Sequence, residues 1–170
     1  MKVTGNVWQF PQDDINTDQI RRKIYAHLPL KEQATHCLEG LDTEFAAKVK
    51  TGDILVAGRN FGAGSSTPAH TALMELGIAA IIAESFGRLF FRSSVSAGLL
   101  VTPCPGILAF ARTGDRIELD AITGQVRNLT TGKNLASDPL PDFLREMVAM
   151  GGEKPYIKAR LAATSGDARR

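Results

Sequence analysis

Ile54-Leu55-Val56-Ala57-Gly58-Arg59-Asn60-Phe61-Gly62-Ala63-Gly64-Ser65-Ser66 is the stretch that decides the fold. The first four residues are apolar, as expected of a short strand covered on both faces. Gly58, Gly62 and Gly64 then let the backbone turn tightly and approach a ligand closely. Thr67-Pro68 marks the entry to a helix running to Leu76, with Ser66 or Thr67 as N-cap, Pro68 in the first turn and Gly77 as the stop. Backbone amides and hydroxyls at such a turn can hold a carboxylate or phosphate, and the helix dipole favours an anion there. Taken alone, the loop is better explained as a turn with Ser66 as a cap. Its glycine spacing is not that of a dinucleotide site, and no Gly-Lys-Ser/Thr follows as in a P-loop.

Outward from the loop, the pattern is strand, helix, strand, helix, strand. Ile78 to Ala83 is a continuous apolar run of strand type. Ser85 is placed to cap a second helix through Phe86, Leu89, Phe90 and Val95, closing at Gly98, and Leu99-Leu100-Val101-Thr102 follows as a third strand. This order implies right-handed parallel crossovers. Upstream, Asn6 to Phe10 alternates as a first strand, Pro29 to Leu41 has weak helical character, and Asp42-Thr43-Glu44 opens a helix over Phe45 to Val49. Downstream, Asp115 to Asp120 and Gln125 to Leu129 alternate around Ala121-Ile122-Thr123-Gly124, which predicts a hairpin. A last helix is expected from Leu140 to about Met150, a short element from Tyr156 to Leu161, and a frayed tail from Ala162 to Arg170. One domain over 1–161, with 162–170 as a flexible tail, is the predicted organisation.

A chain of 170 residues that is 44% apolar carries enough core for one such domain. The net charge of +2 is small, and its cations are scattered apart from Arg21-Arg22-Lys23 and the terminal arginines, which argues against a nucleic-acid partner. No stretch reaches the roughly 20 apolar residues of a membrane helix. Met1-Lys2-Val3-Thr4 leads directly into strand-like sequence, so no signal peptide is expected. Cys37 and Cys104 are far apart and in no metal-ligand spacing, so both are expected as reduced thiols in a cytoplasmic protein that binds no metal itself.

Several side chains near the loop carry two readings. His70 falls in the first turn of the helix, where a surface histidine is the plainer reading and a ligand contact the sharper one. His27 and His36 lack partners for a metal site. Asp14 and Asp18 flank Thr17 and are expected to pin that turn through side-chain-to-backbone bonds. Arg88 and Arg92 share a helix face at i, i+4 spacing, suited to gripping a dicarboxylate or simply to solvent.

Four segments, taken in order, resemble one known family. Asp14-Ile15-Asn16-Thr17-Asp18-Gln19-Ile20 is similar to the D-x-(I/V)-(N/D)-T-D-x-I segment of the small subunit of 3-isopropylmalate dehydratase and homoaconitase. Gly58 to Ser66 resembles that family's G-x-N-F-G-x-G-S-S loop, and Glu84 to Arg92 its S-F-A-R-I-F-x-R-N helix start. Pro139-Leu140-Pro141-Asp142-Phe143 and Gly151-Gly152, with Pro155-Tyr156, match its C-terminal segment. The resemblance implies an α/β fold: the swivelling β/β/α domain of the aconitase superfamily, here a parallel βαβαβ core with a C-terminal hairpin and helix.

The resemblance further implies a hydro-lyase of leucine biosynthesis, active only as a heterodimer with an aconitase-type large subunit. That partner holds a [4Fe-4S] cluster through three cysteines. Ser65 is then the general base that removes a proton next to a carboxylate. Gly64, Ser66, Arg59, Thr67, His70 and Arg88 are the expected substrate contacts. Arg21, Arg22, Lys23, Tyr25 and His27 fall in the loop that tunes substrate choice.

The chain also departs from the family pattern. Where members follow the two serines with Arg-Glu-His or Arg-Glu-Gln, this chain has Thr67-Pro68-Ala69-His70, so the arginine beside the base is missing. Threonine supplies neither its charge nor its fork. Tyr25-Ala26-His27-Leu28 stands in place of Tyr-Leu-Arg, and the usual loop cysteine is Ala63. Three versions follow: a typical isopropylmalate isomerase subunit that tolerates the change; a subunit for a different hydroxy diacid (homoaconitate- or dimethylmalate-like), with Arg21, Arg22, Lys23 or His70 supplying the cation; or a non-catalytic paralogue that binds a partner or an anion.

Overall fold

A computed structural model describes residues 1–64 and 67–167, the last three of these by their backbone alone. In chain order the elements are β1 (Lys2–Phe10), α1 (Thr17–Ile20), a single 3-10 turn (Lys23–Tyr25), α2 (Leu30–Ala34), α3 (Phe45–Lys48), β2 (Ile54–Ala57), α4 (His70–Glu75), β3 (Ala80–Ala83), α5 (Arg88–Ala97), β4 (Leu100–Pro103), α6 (Ile107–Phe110), β5 (Arg116–Asp120), β6 (Gln125–Asn128), β7 (Asn134–Ala136), α7 (Asp142–Ala149) and α8 (Glu153–Asp167). The strands form one mixed sheet in the order β4-β3-β2-β1-β5-β6-β7.

The long strand β1 joins two kinds of sheet. Its first half, Lys2 to Asn6, pairs antiparallel with β5, and its second half, Val7 to Phe10, pairs parallel with β2. On the parallel side β2, β3 and β4 follow in sequence order, and every residue of β2 and β3 is buried, as a two-sided apolar strand should be. On the other side the expected hairpin forms as β5 and β6, and β7 adds a third antiparallel strand. Asn134-Leu135-Ala136 is too short to show an alternating pattern in the sequence, and its pairing with β6 is what makes it a strand. Trp8 and Phe10 both pack edge-on against Phe45, tying α3 to β1.

Several elements differ from expectation, each for a tertiary reason. Ser85 does not cap α5: Gly87 holds the N-cap position without a side-chain bond, and Ser85 Oγ accepts from the amide of Asn60 at 2.9 Å. Ser85 to Gly87 stays extended because it pairs with the glycine loop. Helix α4 starts at His70, with Ala69 at its cap and no side-chain bond there; Ser66, the other expected cap, lies outside the described residues. Pro29 to Leu41 yields only the five residues of α2 before breaking into turns. Helix α8 covers Glu153–Asp167, longer than the expected Tyr156 to Leu161, so 162–167 continue a helix, and 168–170 lie outside the described residues. Gly98, in the left-handed region at φ 90°, ends α5 as expected.

Candidate active site

The glycine loop is held as the middle member of three short backbone segments. On one side Ile15 and Thr17 bond to it: Gly62 N donates to Ile15 O at 2.8 Å, and Thr17 N to Ala63 O at 2.9 Å. On the other, Phe61 N donates to Ser85 O at 3.0 Å, and Gly87 N to Phe61 O at 2.9 Å. Two isolated bridges, Asn16 with Ala63 and Phe61 with Phe86, record this arrangement. The segments that stood apart in the sequence around Asp14, Gly58 and Glu84 therefore meet in space. Phe61, fully buried, packs edge-on against both Phe86 and Phe90 and anchors the loop from below.

The approach to the loop is shaped by polar pairs. Asp13 Oδ1 accepts from Arg59 N at 2.7 Å, while its Oδ2 accepts from Arg59 Nε at 2.9 Å. These bonds, the backbone one foremost, hold the Asp13 carboxyl below its usual range. Asp14 and Asn60 both adopt positive φ and are linked by Asn60 Nδ2 donating to Asp14 Oδ1 at 2.6 Å. Asp14 thus bonds a side chain across the loop, not its own turn as expected. Asp18 does act as expected, accepting from Lys23 N at 2.8 Å. Asn16 and Gln19 complete a reciprocal capping box at α1 that the sequence reading did not single out.

A cavity of about 300 Å³ opens beside Gly64. Thr17, Thr67 and His70 supply its polar lining, and Pro68, Leu89 and Phe90 an apolar side, with Ser93 at the edge. His70 is not a surface residue: it is only 7% exposed, with its ring edge toward Phe90. Its Nδ1 and the Oγ1 of Thr67 are buried with no protein partner among the described residues. Burial first, and then the charge of Arg21, push the His70 pKa down, so the imidazole is neutral near pH 7. Thr17, Pro68, Leu89, Phe90 and Ser93 line the cavity although the sequence pointed to none of them as site residues; Thr17 had a signal, lying between the two aspartates of the first motif.

The other expected contacts are distributed unevenly. Ser65 and Ser66 lie outside the described residues, and the cavity is flanked by the positions on either side of them, Gly64 and Thr67. Arg59 is turned to Asp13, not to the cavity. Arg88 and Arg92 do share a face, but it borders a different groove with Ser85, Phe86, Phe91 and Pro103. In the expected specificity loop, Arg22 pairs with Glu39 at 3.0 Å, and Tyr25 donates to Glu39 Oε1 while stacking on His36 with ring centroids 3.8 Å apart. Lys23 and His27 are exposed. Arg21 alone of that loop reaches α4: its Nη1 donates to Thr71 Oγ1 at 3.2 Å and to Pro68 O at 3.3 Å.

Neither cysteine suits a metal. Cys37 and Cys104 are wholly buried, and burial drives both thiols up, Cys104 to about 11, so each is a protonated core side chain at neutral pH. The described residues contain no cluster of three or more histidine, cysteine or carboxylate groups fit for an ion, and no helix long and apolar enough to cross a membrane.

Comparison with known proteins agrees with this architecture. Residues 4–104 match the family model of the aconitase C-terminal domain. The chain is 42% identical over 164 residues to the 3-isopropylmalate dehydratase small subunit of Thermodesulfovibrio yellowstonii, spanning 95% of this chain and 97% of that one. It is 40% identical over 162 residues to the isopropylmalate/citramalate isomerase small subunit of Methanocaldococcus jannaschii, spanning 94% and 96%. The crystal structure of a 3-isopropylmalate dehydratase from the latter organism superimposes with a TM-score of 0.90 at 34% identity, covering 98% of this chain and 99% of that one. The chain therefore belongs to the aconitase C-terminal domain family, among its 3-isopropylmalate dehydratase small subunits.

Proposed function

We propose that this chain supplies half the active site of an iron–sulfur-dependent hydro-lyase that dehydrates and rehydrates a hydroxy dicarboxylic acid, 3-isopropylmalate being the first candidate. The observation that carries the reading is the clamped glycine loop beside a cavity with one polar and one apolar side. The apolar side of Pro68, Leu89 and Phe90 suits an alkyl substituent, and the neutral polar groups of Thr17, Thr67 and His70 suit a carboxylate. Full-length similarity to proteins named as small subunits supports a large subunit as partner and a cytoplasmic setting in leucine biosynthesis.

A [4Fe-4S] cluster held by that partner would supply Lewis-acid chemistry at the substrate hydroxyl and carboxylate. This chain's buried thiols are unsuited to ligating it. Ser65 acts as base, taking the proton from the carbon next to a carboxylate. The C–H pair forms the new double bond, and the hydroxyl leaves the adjacent carbon with a proton taken up from solvent, departing as water. Return of water across the double bond, with the proton handed back, moves the hydroxyl to the neighbouring carbon. Thr67 and His70 hold the carboxylate while the apolar wall excludes water.

Co-expression with candidate large subunits, followed by anaerobic assays on a panel of hydroxy diacids, tests this. Turnover of 3-isopropylmalate is expected. Loss of about 10²–10⁴-fold in kcat is expected for Ser65→Ala, the usual contribution of a general base. A loss under about tenfold would overturn the base assignment. A loaded complex that converts no hydroxy diacid would overturn the reading and leave a non-catalytic binding subunit.

A further inference from the structure

The cations around the loop differ in what already neutralises them. Arg59 is forked onto Asp13, Arg22 is paired with Glu39, and Arg88 borders a separate groove. Arg21 is partly buried, yet among the described residues no carboxylate lies within ion-pair distance of it. Its hydrogen bonds go to neutral acceptors: Nε to Gln33 Oε1 at 2.5 Å, and Nη1 to Pro68 O and Thr71 Oγ1. A guanidinium drawn out of bulk water without a counter-ion is costly until an anion reaches it.

Its position matters as much as its lack of a counter-ion. Pro68 and Thr71 bracket His70, and Thr67 precedes them. Thr67 Oγ1 and His70 Nδ1 are both buried without a protein partner among the described residues, and both belong to cavity-lining residues. Arg21 does not itself line the cavity, but it bonds the carbonyl of the lining residue Pro68, and its charge is felt at His70. Among the described residues these groups form an incomplete polar set, of the kind one carboxylate completes. Gln33 fixes the cation in place: it is 4% exposed, and its Nε2 donates to Leu28 O at 2.6 Å, which leaves Oε1 facing Arg21.

We propose that Arg21 is the specificity-determining cation of this site, binding one carboxylate of the hydroxy diacid alongside Thr67 and His70, with Gln33 as its positioning residue. The charge that position 67 lacks thus comes from the segment after α1, fifty positions before Thr71. This rests on the hydro-lyase reading above.

The test uses the complex with its large subunit and 3-isopropylmalate as probe, read by steady-state kinetics and by calorimetric binding. Arg21→Met should raise both KM and Kd by about tenfold to a hundredfold, the range of a lost charge-assisted hydrogen bond. Adding Thr67→Arg to Arg21→Met should recover most of that loss, which a misfolded loop would not allow. Gln33→Leu should raise KM several-fold with kcat within about twofold. Unchanged Kd in Arg21→Met, or a loss that Thr67→Arg does not recover, overturns the assignment of Arg21 alone. A wild-type complex that binds no hydroxy diacid overturns the hydro-lyase reading and this one with it.

Discussion

A Cβ built on Gly62 would lie 2.1 Å from Cγ of Phe90 and 2.5 Å from its Cβ. The middle glycine of the loop is therefore required by packing, since the loop rests directly on the aromatic side chain that also lines the cavity. Gly64 has a similar backbone conformation but no close contact among the described residues, its nearest neighbour being Thr17 Oγ1 at 3.8 Å.

The two glycines should respond differently to alanine. At Gly64, with φ +78°, Gly64→Ala should cost only the left-handed backbone penalty of about 1–2 kcal/mol. At Gly62, with φ +77°, the same penalty adds to an overpacking cost of about 1–3 kcal/mol as Phe90 is displaced. Urea unfolding of the two variants checks the difference. Equal losses would mean that Phe90 yields freely and the packing argument is wrong.

Asp53 anchors the start of β2 from a buried position. Its carboxylate accepts from Trp8 Nε1 at 3.0 Å, Asn6 Nδ2 at 3.2 Å and Lys50 N at 2.9 Å, and the residue is only 5% exposed. Asp53→Ala strands these donors and should destabilise the chain by about 2–4 kcal/mol, with Asp53→Asn costing less because one oxygen remains. Chemical unfolding followed by Trp8 emission measures both. A loss below about 0.5 kcal/mol in Asp53→Ala would show that water replaces the carboxylate at no penalty.

His70 gives the fold an acid-sensitive point. Burial, and secondly Arg21, hold its folded pKa below the ordinary 6.5. Below that ordinary value the unfolded chain takes up the proton while the folded state resists it. Stability should therefore fall as pH drops from about 6.5 toward the folded pKa, and should not change above it on this account. Unfolding midpoints at pH 7.5, 6.5 and 5.5 should show the decline, and His70→Asn should flatten it. An unchanged slope in His70→Asn would place the proton uptake on another group.

Much of the fold was legible along the chain because it rests on local signals. Ile54–Ala57 and Ala80–Ala83 are apolar on both faces, Gly98 stops α5, and Gly124 closes a turn between two alternating runs. Each of these follows from neighbours a few residues away. Ser85 misled for the opposite reason. Its sequence context suits a helix cap, but the amide of Asn60, 25 positions away, takes its hydroxyl and keeps the segment extended. His70 misled likewise: a polar residue in a first helical turn suggests exposure, but tertiary packing, with Phe90 against the ring, leaves it only 7% exposed.

The sequence by itself determined the parallel core, the hairpin and the glycine-rich turn, because strand burial, glycine turns and period-two alternation are written in adjacent residues. It also determined that position 67 carries no charge. Only the tertiary structure decided which cation stands near that position. Arg59 and Arg88 lie closer to the loop motifs in the sequence, yet one is neutralised by Asp13 and the other borders another groove, whereas Arg21 is carried to the start of α4 by its bond to Gln33. Counter-ions and burial depend on contacts between distant segments, and those contacts exist only once β1, the glycine loop and α5 have come together.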